Sequence, residues 1–394
     1  MVQVAVSRCA DYDQERVSSA VHAAIELIGG MEQFVRPGQK VLLKVNALTM
    51  KLPEEAVTTH PAVIKAVAAE VKKAGGIPLV GDSSGGMAAG QAPTIRTFEV
   101  AGIARAAEEA GAELVNFDSA GVAAVAAEGP IPRLHLAKPV LEADVVINLP
   151  KLKTHSVTIL TGAVKNMFGC VPGHRKSEYH RMAPRLKDFA RVLADIYGLT
   201  RPALTIMDGI AGMEGNGPSA GRPRNIGLVL ASADGVAVDA VVAYIAGVAP
   251  FKIHTTRIAH QRGLGMGDLA KIDILGEKLE TLRISDFDLP SNLMFEVLPG
   301  FLVSGILGMF RARPVIAEDA CAGCSFCVDS CPVQAMELSG KVPVIEYNRC
   351  ISCLCCQELC PNKAVQMKQV NPLGRVLAGI VSHRKQKKRK RYQK

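Results

Sequence analysis

The feature that most constrains this chain is a cysteine spacing that occurs twice within its last eighty residues. The stretch CAGCSFCVDSCP begins at Cys321, and the stretch CISCLCCQELCP begins at Cys350. Both read C-x2-C-x2-C-x3-C-P, and the likeness continues past the proline, as PVQAMEL in one copy and PNKAVQM in the other. Eight of the 11 cysteines fit these two copies, so the spacing indicates metal binding rather than isolated thiols.

The two stretches resemble the bacterial two-cluster ferredoxins over residues 314–369, and the resemblance implies two [4Fe–4S] clusters. In that motif three cysteines wrap one face of a cluster, and the fourth ligates the other cluster. The predicted ligands are Cys321, Cys324, Cys327 and Cys360 for cluster I, and Cys350, Cys353, Cys356 and Cys331 for cluster II. Zinc is the rival hypothesis, but zinc sites generally use two C-x2-C pairs.

Three cysteines lie outside the repeated spacing. Cys355, inside the second stretch, is predicted to be a small apolar residue packed beside the cluster. Cys9 is expected in the core. Cys170 lies in NMFGCVPG, near a polar motif, and its role stays open.

The opening residues, MVQVAVSRCADYDQ, contain no basic segment followed by an apolar one. No signal peptide is expected, and a reducing cytoplasmic compartment is predicted. The net charge of +9 is concentrated in residues 384–394, RKQKKRKRYQK, with eight Lys or Arg; removing these eight charges leaves +1. Such a tail is expected to be solvated and disordered, with contact to nucleic acid or an anionic membrane surface as the alternative.

Apolar runs alternate with amphipathic stretches through residues 1–288. This pattern predicts an α/β domain with a mainly parallel, layered sheet, followed at 315–370 by a small α+β two-cluster ferredoxin-like domain. Residues 289–314 are predicted to be an apolar linker, because Glu296 and Pro299 interrupt a run too short to span a membrane. A segment lying on a membrane surface is the alternative. The basic tail occupies 371–394.

Polar side chains follow several of the predicted strands. Ligands of open α/β sheets bind beyond the carboxyl ends of the strands, so a site is expected at that edge. Lysine and histidine beside carboxylates suit a small anionic substrate or acid–base chemistry, although a solvated basic patch is the alternative. The candidate catalytic residues are Lys153, His155 and Lys165, and the candidate substrate-binding residues are Lys44, Asn46, Asp82, Lys151, Asn166 and Asp208.

Two further groups of oxygen ligands belong to the same prediction. Asp82, Asp208 and Glu214 are an alternative site for a divalent cation. Ser232 and Asp234 follow another strand, NIGLVLAS, and are expected at the same edge.

Several segments of the larger domain form a recognisable set: TTHPAVIKAVAAEVKKAGG with LVGDSS, INLPKLKTH with LTGAVKNMFG, IMDGIAGMEGNGP, and ADGVAVDAVVAYIAG. Together they resemble a large family, the domain of unknown function 362. The resemblance covers residues 40–250. It implies an iron–sulfur protein, because fusion to a two-cluster ferredoxin recurs in that family, and it implies no particular reaction.

Three functions are compatible with these features. In the first, a redox enzyme receives electrons from a low-potential electron-transfer protein and passes them through its clusters to a small anionic substrate. In the second, the chain is an electron carrier or maturation partner whose α/β domain docks another protein and has no catalytic site. The third is a nucleic-acid-associated protein that uses the basic tail. The first is favoured because it explains both the clusters and the polar edge.

Overall fold

The computed structural model describes residues 1–85, 93–290 and 312–369. The predicted basic tail, residues 371–394, and most of the predicted apolar linker, residues 289–314, lie outside the described residues.

The α/β part of the chain alternates strands and helices. Its strands are β1 (Val2–Arg8), β2 (Lys40–Lys44), β3 (Ile77–Asp82), β4 (Glu113–Asn116), β5 (Val122–Ala126), β6 (Arg133–Ala137), β7 (Val145–Asn148), β8 (Lys151–His155), β9 (Ile159–Thr161), β10 (Leu204–Glu214), β11 (Arg222–Ser232) and β12 (Ile272–Gly276). Its helices are α1 (Gln14–Glu26), α2 (Pro61–Lys73), α3 (Thr94–Val100), α4 (Ile103–Glu109), α5 (Lys138–Glu142), α6 (Ala163–Asn166), α7 (Arg175–Met182), α8 (Leu186–Thr200), α9 (Gly235–Ile245) and α10 (His254–Gln261).

Helix α2 illustrates why these segments fold as they do. Pro61 occupies the first turn, where its missing N–H removes no helical hydrogen bond. The His60 ring caps the helix by accepting a hydrogen bond from a backbone N–H. Val63, Val67 and Val71 recur at helical spacing and are fully buried. Local sequence therefore determines both the start of the helix and the face that it buries.

Within the described residues, ten strands form one sheet in which eight follow the order β12-β1-β11-β10-β7-β2-β3-β4. Neighbouring pairs from β10 through β7, β2 and β3 to β4 are parallel, as is the β1–β12 pair. Strand β8 follows β7 in the chain. It pairs parallel to β10 and antiparallel to β9. The fold is α/β with a mainly parallel sheet, as predicted.

Three local features differ from the sequence-based expectations. The predicted helix TIRTFEVAGIARAAEEAG is divided into α3 and α4 by Gly102, whose φ of +69° is costly for residues with a side chain. The segment KLKTH forms strand β8 rather than a connecting loop. Strand β11 runs antiparallel to both neighbours, so Ser232 and Asp234 lie at the opposite edge from the ends of β2, β3 and β7. There Asp234 caps α9.

Apolar clusters cover both faces of the sheet. One packs α1, α2 and α4 against β2, β3 and β7, and a second packs α8 and the segment after α6 near the opposite face. A third surrounds α9, which is buried on nearly every side. The carboxyl ends of β2, β3 and β7 emerge between these clusters.

The cysteine-rich segment is a small α+β unit. Its elements are β13 (Ala312–Ile316), α11 (Phe326–Asp329), β14 (Met336–Ser339), β15 (Val342–Ile345), α12 (Cys355–Leu359) and β16 (Val365–Gln369). Strand β13 pairs with β16, and β14 pairs with β15, in both cases antiparallel. The two copies of the cysteine spacing have the same shape, since Ser325 and Leu354 each enter the short helix with positive φ.

Candidate functional site

The cysteine-rich segment packs on the carboxyl edge of the large sheet through the second copy of its repeat. Lys51 Nζ donates to the Pro361 carbonyl at 2.9 Å, and Ser219 Oγ donates to the Gln357 carbonyl at 3.2 Å. A Cβ on Gly85 would lie 2.1 Å from Leu359 Cδ2 and 3.2 Å from the Leu48 carbonyl oxygen, so α12 approaches the backbone closely at this glycine. These contacts place α12 over the polar ends of the strands.

A cavity with an empty volume of about 630 Å³, which includes open solvent, lies between α12 and the sheet edge. We call it the edge cavity. Both parts of the chain line it, with Lys153, Lys165 and Lys176 from the α/β domain and Cys355 and Glu358 from α12. The remaining lining residues are Asn46, Ala47, Leu48, Asp82, Ser83, Gly85, Thr161, Asn166, Phe168, Gly169, Ser177, His180, Pro218 and Leu359.

Lys165 is the lysine of this cavity whose ammonium has no contacting partner in the described part of the chain, whereas Lys153 and Lys176 donate hydrogen bonds to uncharged oxygens. Its side chain is 9% exposed, and among the described residues its ammonium makes no hydrogen bond or ion pair; it lies 5.8 Å from the centre of the Phe168 ring. Burial lowers the pKa of Lys165 below its ordinary value, although Glu358 opposes this. Buried charges are normally paired, so an unpaired ammonium at a cavity wall favours binding of an anion there.

Helix α6 places Lys165 by means of a buried carboxylate. Asp239, on α9, accepts hydrogen bonds from the backbone N–H groups of Ala163 and Val164 at 2.5 and 3.1 Å. Desolvation raises the pKa of Asp239 to about 7. The first turn of this four-residue helix is therefore held by the core of the domain rather than by its own length.

A chain of amide side chains holds Lys153. Its Nζ donates to Asn46 Oδ1 at 2.7 Å; Asn46 donates to Asn166, and Asn166 donates to Asn148, each at 2.7 Å. Burial, reinforced by the charge of Lys165, lowers the pKa of Lys153 well below its ordinary value. Lys153, Asn46 and Asn166 thus form one rigid wall of the edge cavity.

Asp82 also reaches the edge cavity, and Lys44 lies behind it. Lys44 Nζ lies 2.9 Å from Asp82 Oδ1, and both side chains are almost fully buried. Asp82 further accepts hydrogen bonds from the backbone N–H groups of Ala47 and Ser83 at 2.7 and 2.8 Å. This ion pair is part of the support of the cavity, and Lys44 itself is not a lining residue.

Two predicted binding residues lie elsewhere. Lys151 Nζ contacts Asp208 Oδ2 at 2.9 Å and Tyr12 Oη at 2.6 Å, and Tyr12 donates to Asp208 Oδ1 at 2.8 Å. Lys151 and Asp208 are fully buried and do not line the edge cavity. They form a closed ion pair that joins β8 to β10.

His155 joins the two parts of the chain. Its Nδ1 accepts a hydrogen bond from the Val157 N–H, so the ring proton is assigned to Nε2, which lies 2.8 Å from Glu358 Oε1. Burial lowers the pKa of His155 to about 4. Burial would raise the pKa of Glu358, but His155 and Lys165 outweigh it and hold that pKa well below its usual range. A neutral histidine behind the cavity wall therefore contacts the ionised Glu358, which lines the cavity.

Lys176 and His180 are basic lining residues of the α/β domain that were not among the predicted site residues. Both lie on α7, where Lys176 Nζ donates to Ser83 Oγ at 2.6 Å and to the Ser84 carbonyl at 2.8 Å. Burial lowers the pKa of Lys176 to about 8 and that of His180 to about 4. His180 stacks on Phe189 with ring centres 4.0 Å apart. The stretch HRKSEYHR follows no strand, so the strand-end rule does not find it, and its basic composition was the available signal.

The expected divalent cation has no support from the carboxylates. Asp82 pairs with Lys44, Asp208 with Lys151, and Glu214 with two arginines. Among the described residues, no group of three or more His, Cys, Asp or Glu side chains is placed to hold a single metal ion.

The cysteines of the repeat line two further cavities. Cys321, Cys324, Cys327 and Cys360 line one, which we call the cluster I cavity. Cys331, Cys350, Cys353 and Cys356 line the other, the cluster II cavity, together with Cys355. None of these nine cysteines, all within the described residues, forms a disulfide bond.

This arrangement fits iron–sulfur clusters. Each iron of a [4Fe–4S] cluster takes one thiolate, so four sulfurs surround a space instead of converging on one ion. The fourth cysteine of each copy also accepts the same hydrogen bond, from Ala335 N–H to Cys331 Sγ and from Ala364 N–H to Cys360 Sγ, both at 3.2 Å. The residues present therefore suit the group that the spacing implies.

Comparisons with known proteins agree with these observations. The family model described as domain of unknown function (DUF362) matches residues 41–244, and a 4Fe-4S dicluster domain matches residues 320–364. The chain belongs to the DUF362 family. Both predicted resemblances are confirmed, and this DUF362 chain is an iron–sulfur protein.

One relative and one solved structure are similar to parts of this chain. The thylakoid-associated protein sll1697 of Synechocystis sp. is 38% identical over 300 residues, which cover 74% of this chain and 88% of that protein. The lactate racemase apoprotein of Thermoanaerobacterium thermosaccharolyticum superposes with a TM-score of 0.40 at 11% identity. That superposition covers 63% of this DUF362 chain and 58% of the racemase.

Within residues 1–85, 93–290 and 312–369, every helix is too short or too polar to cross a bilayer.

Proposed function

We propose that the protein is an iron–sulfur oxidoreductase that binds two [4Fe–4S] clusters and acts on a small anionic substrate in the edge cavity. The observation that carries this proposal is the buried ammonium of Lys165, which lines a cavity that α12 of the cysteine-rich segment closes. An unpaired cation in such a place is costly to the fold, and a bound anion compensates it.

The roles of the side chains follow from their contacts. Lys165 and Lys176 bind the anion, and the Lys153–Asn46–Asn166 chain orients it. Cys355 and Leu359 restrict water from the side of α12. Strengthened electrostatic interactions in a poorly hydrated cavity favour both binding and reaction.

The remaining roles concern the transfer of electrons and protons. Bound clusters supply electrons one at a time, and a low-potential electron-transfer protein supplies the electrons to this chain. Reduction of an anion consumes protons. Because burial lowers the pKa of Lys165, its ammonium is suited to donate one to the substrate. His155, neutral near pH 7, lies behind the cavity wall and holds the lining residue Glu358 in place.

Binding measurements on the anaerobically reconstituted protein test the proposal. Acetate, succinate and inorganic phosphate serve as probes in calorimetric titrations at low ionic strength. Lys165→Met is expected to weaken binding of the preferred probe by at least about tenfold, the loss of one charge-assisted contact of about 1.5–3 kcal/mol. Lys138→Met, the same change at an exposed lysine outside the cavity, is expected to leave binding unchanged.

Two results would replace this function with the electron-carrier alternative. One is that none of the three probes binds to the parent protein at millimolar concentration. The other is that Lys165→Met, at unchanged iron content, binds the preferred probe as tightly as the parent and the Lys138→Met control do.

A further inference from the structure

One side chain belongs to the walls of two cavities. Cys355 lines the cluster II cavity beside Cys353 and Cys356, and it lines the edge cavity together with Lys165. Among the described residues, the cluster I cavity shares no lining residue with the edge cavity. The two cluster cavities are therefore not equivalent with respect to the edge cavity.

The two copies of the internal repeat differ in sequence at the positions that cause this asymmetry. Cys355 occupies the position that Phe326 holds in the first copy, and Glu358 occupies that of Asp329. Phe326 lines the cluster I cavity, whereas Cys355 and Glu358 reach the edge cavity. The second copy thus carries a small side chain and a carboxylate where it meets the α/β domain.

The charged groups of the edge cavity lie near cluster II because the two cavities share the Cys355 wall. Lys165 is close enough to Glu358, on the same short helix as Cys355, for the carboxylate charge to affect the pKa of Lys165. Reduction adds one negative charge to a cluster, and the net charge around the cluster sets its reduction potential. A cation in the edge cavity consequently favours the reduced form of the nearer cluster, and an anion bound there opposes it.

We propose that the edge cavity is electrostatically coupled to cluster II through the Cys355 wall and not to cluster I, so that the charge held in the cavity controls reduction of cluster II. For the bound anion this inference rests on the proposed function. For the charge of Lys165 it rests on the geometry of the chain alone. Since coupling is reciprocal, reduction of cluster II weakens anion binding by the factor by which the anion disfavours reduction.

Anaerobic redox titration of the full chain, followed by EPR, tests the coupling without any added ligand. Cys324→Ser identifies the cluster I signal, because Cys324 lines only the cluster I cavity. Lys165→Met is expected to lower the equilibrium constant for reduction of cluster II by up to about tenfold, which is about 59 mV for one electron. The constant for cluster I should change less than about twofold, and Lys138→Met should change neither.

Added phosphate or succinate is expected to shift the parent protein in the same direction and at the same cluster. Cys355→Ser, at unchanged iron content, should alter both the cluster II signal and the affinity for the anion. Phe326→Ala, at the equivalent position of the first copy, should alter neither of these two quantities.

The outcomes separate this inference from the proposed function. If no probe binds but Lys165→Met shifts cluster II selectively, the proposed function fails and the coupling stands. If a probe binds but Lys165→Met shifts both clusters equally, cluster I alone, or neither, the coupling is wrong and the proposed function stands. A Cys355→Ser variant with parental cluster II signal and affinity also overturns the coupling.

Discussion

Replacement of Gly169 by alanine is expected to break the ion pair that supports the edge cavity. A Cβ at this position would lie 2.1 Å from Asp82 Oδ1 and 2.7 Å from Lys44 Nζ, distances at which something must move. Asp82 has little room to do so, because it also accepts hydrogen bonds from Ala47 and Ser83 N–H groups. The substitution therefore acts on the pair and not on the backbone.

The expected cost follows from the burial of the pair. The Lys44 side chain is 0% exposed and that of Asp82 is 4% exposed, so a separated pair leaves charges without solvent or partner. Disruption of a buried pair costs about 3–5 kcal/mol. We expect Gly169→Ala to lower the free energy of unfolding by about 3 kcal/mol, because the pair is displaced and neither partner is removed.

Denaturant unfolding of the protein under anaerobic conditions measures this change. Gly198→Ala is the matched control, since Gly198 lies within α8 and its added Cβ would meet only the flexible end of Leu264 at 3.0 Å. Alanine is favoured over glycine inside a helix by about 1 kcal/mol, so the control is expected to keep or slightly raise the stability. A Gly169→Ala protein as stable as the parent would refute the support assigned to the Lys44–Asp82 pair.

Three further outcomes are expected. Iron and sulfide analysis should give about eight irons and eight sulfides per chain; Cys353→Ser should damage one cluster and Cys355→Ser neither, and stoichiometric zinc would contradict this. Lys165→Met should raise the free energy of unfolding by about 1–2 kcal/mol, as replacement of buried ionic groups often does. The reason is that the pKa of Lys165 is lowered in the folded state, so the fold disfavours its charged form. A less stable variant would contradict the assignment of Lys165 as an unpaired buried cation. Anion binding should weaken as the pH rises through about 8, because Lys176, with its pKa lowered to about 8, is charged below that pH and neutral above it. Calorimetry between pH 6.5 and 9 checks this. An affinity that stays constant or rises over the range would count against the role of Lys176 in binding the anion.

Much of the fold was predictable because its signals are local. Helix α2 begins at Pro61 and buries apolar residues at helical spacing, such as Val63, Val67 and Val71, and β2 and β3 are short apolar runs. The direction of β11 was missed because β10 and β11 extend beyond the apolar runs ALTIMDG and NIGLVLAS and form an antiparallel hairpin, with only residues 215–221 between them. Ser232 and Asp234 were placed at the wrong edge for this reason.

The candidate site divides in the same way. Five predicted residues line the edge cavity. Asn46 and Asp82 lie at the ends of β2 and β3, Lys153 lies in β8, and Lys165 and Asn166 lie in α6. Nothing in their local sequence distinguishes Lys165 from Lys151. Only packing shows that Lys151 is neutralised by Asp208, whereas Lys165 has no contacting carboxylate among the described residues.

The sequence by itself determined the iron–sulfur character, since the cysteine spacing is repeated within two short loops. It also determined the order of strands and helices, which follows from hydrophobic periodicity. The tertiary structure decided which residues meet: Lys176 and His180 from a helix that follows no strand, and Cys355 and Glu358 from a segment about two hundred residues away from Lys165. Spacing along a chain specifies what a loop can bind, but a shared cavity depends on how distant surfaces pack.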